Sequence, residues 1–161
     1  ISIDHIVVPS GSGGTHAGLV VGLQESRARI PVTGINVLCG RAEQEQKVSN
    51  LAVQTLELLD SSFSGLSLPV RCRDEYVGPG YTVPTRGMIE AVRTAARTES
   101  LILDPVYSGK AMAGLIDLVR RGRFKKGENI IFIATGGFPA LFEYKDYFLP
   151  GNEPEDSNER S

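Results

Sequence analysis

Ser10, Ser12 and Thr15 share one short run with four glycines, Pro9-Ser10-Gly11-Ser12-Gly13-Gly14-Thr15-His16-Ala17-Gly18-Leu19, placed directly after the apolar Ile6-Val7-Val8. Hydroxyls and glycines at this density are suited to holding an anion. Glycine lets backbone N–H groups approach a phosphate closely, a threonine hydroxyl adds a donor, and a helix that starts there adds its positive dipole end. Two nucleotide patterns fail here. A P-loop requires Gly-Lys-Ser/Thr, and no lysine follows Gly14. A dinucleotide site requires G-x-G-x-x-G with an acid about 20 positions on, for which Gly11, Gly13 and Asn36 are a poor match. Two readings stay open: an ordinary glycine-rich turn between strand and helix, and a cup for a phosphate that is not part of a nucleotide.

Elements must position this run. Residues 3–8 predict a strand and 17–25 a helix packed through Leu19, Val20 and Leu23. Residues 32–38 predict a second buried strand and 42–59 a long helix, because Val48, Leu51, Ala52, Thr55, Leu56 and Leu59 recur at helical spacing. Residues 61–68 are a Ser/Gly-rich loop, and 70–72 a short strand. Residues 76–85 carry two glycines, two prolines and two tyrosines, too many breakers for regular structure and too aromatic for a solvated linker. Thr85 reads as the N-cap of a helix over 86–97. Leu101–Leu103 reads as a short strand, followed by a helix opening at Ser108 or Gly109, running to Arg121 and stopped by Gly122. Residues 130–134 are the most strand-like run, feeding the turn Thr135-Gly136-Gly137 and a short helix over 139–144. Residues 150–161 hold acids, Asn, Ser, Pro and Gly, and are expected to be a disordered acidic tail.

Strands alternating with helices predict an α/β fold with an open, parallel, twisted sheet flanked by helices, whose ligands sit at the carboxyl ends of the strands. The loops 10–15, 104–109 and 135–137 should crowd that edge. At 161 residues, 41% hydrophobic and 22% charged, the chain has the composition of a soluble domain with a real core. A net charge of −2 gives no basic field for nucleic acid or an acidic membrane surface. No apolar stretch approaches the roughly 20 residues that span a bilayer. Cys39 and Cys72 are too few for a disulfide framework and fit a reducing, cytoplasmic setting, and neither they nor His5 and His16 show metal-ligand spacing. The five lysines, Lys47, Lys110, Lys125, Lys126 and Lys145, read as solvated. The chain opens without Met just before a strand, and a fragment or a processed chain is expected.

The runs Ser10–Leu19, Gly-Pro-Gly-Tyr (78–81), Asp-Pro-Val-Tyr-Ser-Gly-Lys-Ala-Met-Ala-Gly-Leu-Ile-Asp (104–117) and Thr-Gly-Gly-Phe-Pro-Ala-Leu-Phe (135–142) resemble, in order, the D-cysteine desulfhydrase and aminocyclopropane-carboxylate deaminase family. That family belongs to the tryptophan-synthase-β-like, fold type II enzymes dependent on pyridoxal 5'-phosphate (PLP). The resemblance implies that residues 1–149 are the C-terminal part of a PLP-binding large domain. It places the cofactor phosphate against Ser12, Gly13, Gly14 and Thr15, the pyridine nitrogen against Thr135, and Tyr107 and Tyr81 on the substrate side in catalytic roles. Lys110 matches a helix start in the family motif, not the Schiff-base lysine. The implied activity is D-cysteine desulfhydrase, converting D-cysteine to pyruvate, hydrogen sulfide and ammonia; L-cysteate sulfo-lyase, aminocyclopropane-carboxylate deaminase and a non-catalytic PLP- or phosphate-binding subunit are the alternatives. Ser108 stands where the deaminase branch carries Glu, and Ala134 where many relatives carry His. Family members are about twice as long, with the Schiff-base lysine, a Ser/Asn-rich loop for the substrate carboxylate and a small domain all before the phosphate run. The implied partners are that missing N-terminal half, a small amino-acid substrate and a second copy in a homodimer. This chain alone should be nearly inert.

Overall fold

The structure is a computed structural model that describes residues 1–152 and 154. Residues 153 and 155–161, most of the expected acidic tail, lie outside the described residues. In chain order the elements are β1 (His5–Ser10), α1 (Gly14–Glu25), β2 (Val32–Asn36), α2 (Arg41–Leu58), β3 (Cys72–Arg73), α3 (Arg86–Glu99), α4 (Ser108–Arg120) and β4 (Ile130–Phe132), followed by two 3-10 turns, Phe138–Phe142 and Lys145–Phe148. The four strands form one sheet in the order β3-β2-β1-β4, and every pairing is parallel. This is the helix-flanked parallel α/β sheet that the alternation predicts.

Both faces of the central strands are covered. Ile6 and Val8 point to one side, where Ala17, Val20 and Val21 of α1 and Val48, Ala52 and Leu56 of α2 close the core. Val7 and Ile35 point to the other, against Ala111 and Leu118 of α4. Burying such aliphatic side chains contributes roughly 1.5–3 kcal/mol each and fixes the register of the strands. The chain leaves β1 toward β2 on one side, while β4 joins on the other. The gap between β1 and β4 is therefore the topological switch point, where the loops that follow the two strands part and open a crevice.

Strand β1 runs two residues further than the apolar run predicts, through Pro9 and Ser10. In this parallel strand Ser10 faces β2, since its carbonyl accepts from Val37 N at 3.1 Å, while Val7 faces β4, its carbonyl accepting from Ile133 N at 2.9 Å. Pro9 shares the parity of Val7, so its missing N–H falls on the side where β4 no longer pairs, and proline is tolerated there.

The strand expected at Leu101–Leu103 does not form. Ser100 turns left-handed at φ 55° to end α3, and the Leu101 N–H goes back to the Ala95 carbonyl at 3.2 Å. The segment gives its first amide to the helix end and has no strand beside it among the described residues. In place of the short helix expected over 139–144 stands the 3-10 turn Phe138–Phe142, the second such turn beginning only at Lys145, and β3 is shifted to Cys72–Arg73. Thr85 does cap α3, its hydroxyl accepting from Met88 N at 3.2 Å.

Candidate functional site

The loop after β1 is shaped by what lies beneath it. Ser10 and His16 are buried, and the Ser10 hydroxyl shares a hydrogen bond with His16 Nδ1 at 3.1 Å. Gln44, buried on α2, donates from Nε2 to Ser10 Oγ at 2.9 Å and to the Gly11 carbonyl at 3.0 Å, while its Oε1 accepts from Cys39 Sγ at 3.1 Å. The His16 ring packs closely on β2: a Cβ on Gly34 would stand 2.5 Å from it. Burial pushes the His16 pKa down to about 4, against the pull of Glu45, so the ring is neutral near pH 7. Its Nε2 is buried without a partner among the described residues.

Above this floor the backbone turns over. Gly13 sits at φ 92°, and a Cβ there would press on Leu51 and Val48 at 3.0 and 3.2 Å. α1 then starts at Gly14 with no side-chain cap and no acid in its first turn. Among the described residues, nothing but its chain neighbours and the helix's own backbone lies within 4 Å of where a Gly14 Cβ would be. The helix thus starts beside open space with first N–H groups that no side chain caps, which leaves donors for an anion.

The second wall is the start of α4. Asp104, buried, accepts with one carboxylate oxygen from Val106 N (2.8 Å) and Tyr107 N (2.7 Å) and with the other from Ser108 N (2.7 Å) and Ser108 Oγ (2.6 Å). The Asp104 N–H donates in turn to Ser108 Oγ at 2.9 Å. This grip turns Tyr107 toward the first loop, where a Cβ on Gly11 would lie 3.1 Å from its ring. The Tyr107 and Tyr81 hydroxyls are hydrogen-bonded, and their rings meet edge to face at 6.0 Å and 69°. That hydrogen bond, then burial and the Tyr81 and Asp104 charges, push the Tyr107 pKa up to about 12. Its phenol therefore stays protonated at neutral pH, a donor rather than a base.

The third wall follows β4. Gly136 and Gly137 both take left-handed conformations, and Gly137 comes so close to Asp104 that a Cβ would stand 3.3 Å from its carboxylate carbon. Thr135, exposed, leads into this turn. Together the three loops bound a cleft of about 250 Å³ lined by Ser12, Gly13, Thr15, Tyr107 and Thr135 among others. Loops 10–15, 104–109 and 135–137 do meet at the carboxyl edge. Tyr81 does not line the cleft itself and reaches it through Tyr107. A cavity of about 320 Å³ at the opposite edge, near Leu23, Pro31 and Leu68, includes none of these loops.

Three residues escaped the sequence reading. Asp104 had a signal, an acid four positions before a helix-opening serine. Gln44 lies one turn before Val48 on the apolar stripe of α2. Lys110 is not solvated as expected: it is fully buried, and its ammonium donates to the carbonyls of Val77 and Gly80 at 2.7 and 2.9 Å. The inward register of α4 places it there, against a loop that sequence spacing does not bring near.

The family described as pyridoxal-phosphate dependent enzyme matches residues 1–136. Among solved structures, the crystal structure of an ACC deaminase homologue is 37% identical, with a TM-score of 0.79 over 92% of this chain and 44% of that one. A fungal L-serine ammonia-lyase from Rhizomucor miehei is 19% identical, with a TM-score of 0.56 over 91% of this chain and 50% of that one, a likeness of fold. The chain spans about half the length of these solved relatives.

Proposed function

Because this chain belongs to the pyridoxal-phosphate-dependent enzymes, we propose that it is the C-terminal part of a PLP-dependent carbon–sulfur lyase of the D-cysteine desulfhydrase kind. The observation that carries the reading is the uncapped start of α1, opening into a cleft with Tyr107 and Thr135 on its other walls. The residues fit the cofactor. The N–H groups at Ser12, Gly13, Gly14 and Thr15, with the Thr15 hydroxyl, would hold the phosphate; empty space over Gly14 leaves room for it. Thr135 would bond the ring nitrogen as a neutral partner. When bound, the cofactor supplies an electron sink for the carbon that loses its proton.

The chain's own groups then have distinct tasks. The Tyr107 phenol, held protonated by Tyr81, would donate to the substrate carboxylate or to the departing sulfur. Asp104 fixes the Tyr107 backbone, and the Gln44–Ser10–His16 floor fixes the phosphate loop. The overall reaction takes up water: D-cysteine and water give pyruvate, hydrogen sulfide and ammonia. The lysine that anchors the cofactor and moves the α-proton would come from an N-terminal half, in the same protein or a second chain. In support, no strand pairs with the outer edge of β4 among the described residues, and Phe138 and Phe142 beyond it are 55% and 74% exposed.

The aminocyclopropane-carboxylate deaminase alternative draws support from the 37% identity to the ACC deaminase homologue. Against it, Ser108 stands where that branch has Glu, and its hydroxyl is turned to Asp104. The chain joined to an N-terminal half should release sulfide from D-cysteine. Sulfite from L-cysteate would favour the sulfo-lyase alternative, oxobutyrate from aminocyclopropane-carboxylate the deaminase. Cofactor binding without any turnover would favour a non-catalytic subunit.

A further inference from the structure

Lys110 is a buried cation that has no carboxylate partner among the described residues, an arrangement that costs free energy unless its hydrogen bonds compensate. Burial alone pushes its pKa down to about 8. A methionine would fill the same space without that cost. What the ammonium meets is a pair of carbonyls, Val77 and Gly80, three residues apart in the irregular stretch between β3 and α3. That stretch has little backbone bonding of its own: Val77 N donates to Asp74 O and Val83 N to Gly80 O. An uncharged side chain with one hydrogen could not satisfy both carbonyls, whereas an ammonium has three donors. The residue after Gly80 is Tyr81, whose hydroxyl meets that of Tyr107. Tyr107 lies one turn before Lys110, at the start of the same helix. The contacts close a ring: Lys110 to Gly80, Tyr81 to Tyr107, and Tyr107 back through α4 to Lys110.

We infer that Lys110 is a positioning residue, whose two hydrogen bonds hold residues 77–81 so that the Tyr81 hydroxyl stands on the Tyr107 hydroxyl at the cleft. This rests on the proposed reading that the tyrosine pair serves the substrate. The tyrosines' own titration tests it without turnover, so its failure and the failure of the lyase reading are distinguishable.

The experiment is ring-carbon NMR of isotope-labelled tyrosine in the full chain across alkaline pH. Lys110→Met should lower the Tyr107 pKa from about 12 by about one unit or more toward its ordinary value near 10, with the fold kept. Tyr81→Phe should produce the same fall, and Lys110→Met on top of it no further one, because both changes break the same contact. Lys110→Arg, which keeps the charge and donors, should recover part of the shift. An unchanged Tyr107 titration in folded Lys110→Met overturns the inference. Should that variant not fold, the unmutated chain decides. Couplings across hydrogen bonds from the Lys110 ammonium to the Val77 and Gly80 carbonyls, with an immobile Tyr81 ring, support it, and absent couplings or a freely moving ring overturn it.

Discussion

Two helices begin at the same cleft, and they treat their first N–H groups in opposite ways. At α4 the chain supplies its own anion: the Asp104 carboxylate takes three backbone N–H groups and the Ser108 hydroxyl. At α1 no side chain caps the helix and no acid lies in its first turn, although the loop beneath is tied down by Gln44, Ser10 and His16. A helix start can be completed by a side chain or by a ligand. An internal carboxylate fills one helix start, whereas the uncapped start of α1 leaves its donors for a ligand. The floor under α1 matters because an anion gains most from donors that need no reorganisation when it arrives.

Asp104→Ala breaks the filled end and should have the largest effect. It leaves buried donors without an acceptor, at a cost on the order of 3 kcal/mol or more, seen as a drop in the denaturant midpoint. Asp104→Asn, which keeps one acceptor oxygen, should lose less.

Acid should act next, on the floor of the open end. His16 is held near pKa 4 in the fold against 6.5 when unfolded. Between those values the unfolded chain takes up a proton that the native ring refuses, so stability falls as the pH drops from 6.5 to 4. The loss is on the order of 3 kcal/mol. Urea unfolding at a series of pH values measures it, and His16→Gln should flatten the slope.

The smallest effect comes from making the two ends alike. Gly14→Asp places a carboxylate at the start of α1, where among the described residues nothing but its chain neighbours and the helix's own backbone stands within 4 Å. It should stabilise the helix by about 0.3–1 kcal/mol, raising the denaturant midpoint, while weakening the binding of a phosphate-bearing ligand.

Both ends were visible in the sequence to different depths. The open one was legible because strand, glycine run and helix are contiguous, so local geometry alone brings hydroxyl and N–H groups to one place. The Thr85 cap was legible for the same reason. Asp104 escaped although its partners are two to four residues away; the other two escaped through distance in sequence. Gln44 supports Gly11 from 33 residues away, and Lys110 reaches carbonyls 30 and 33 residues back. A helical stripe that says which side faces inward does not say what polar group waits there. Leu101–Leu103 was misread because a β-rich triplet has no strand beside it once Ser100 has turned the chain.

The proposed seat of the cofactor phosphate at the open start of α1 can be tested by backbone amide NMR of the chain, titrated with pyridoxal phosphate and separately with pyridoxal. The amides of Ser12, Gly13, Gly14 and Thr15 should move with pyridoxal phosphate and stay in place with pyridoxal, and Gly14→Asp should suppress the movement. If those amides remain still while both compounds bind alike, α1 is not the phosphate receptor.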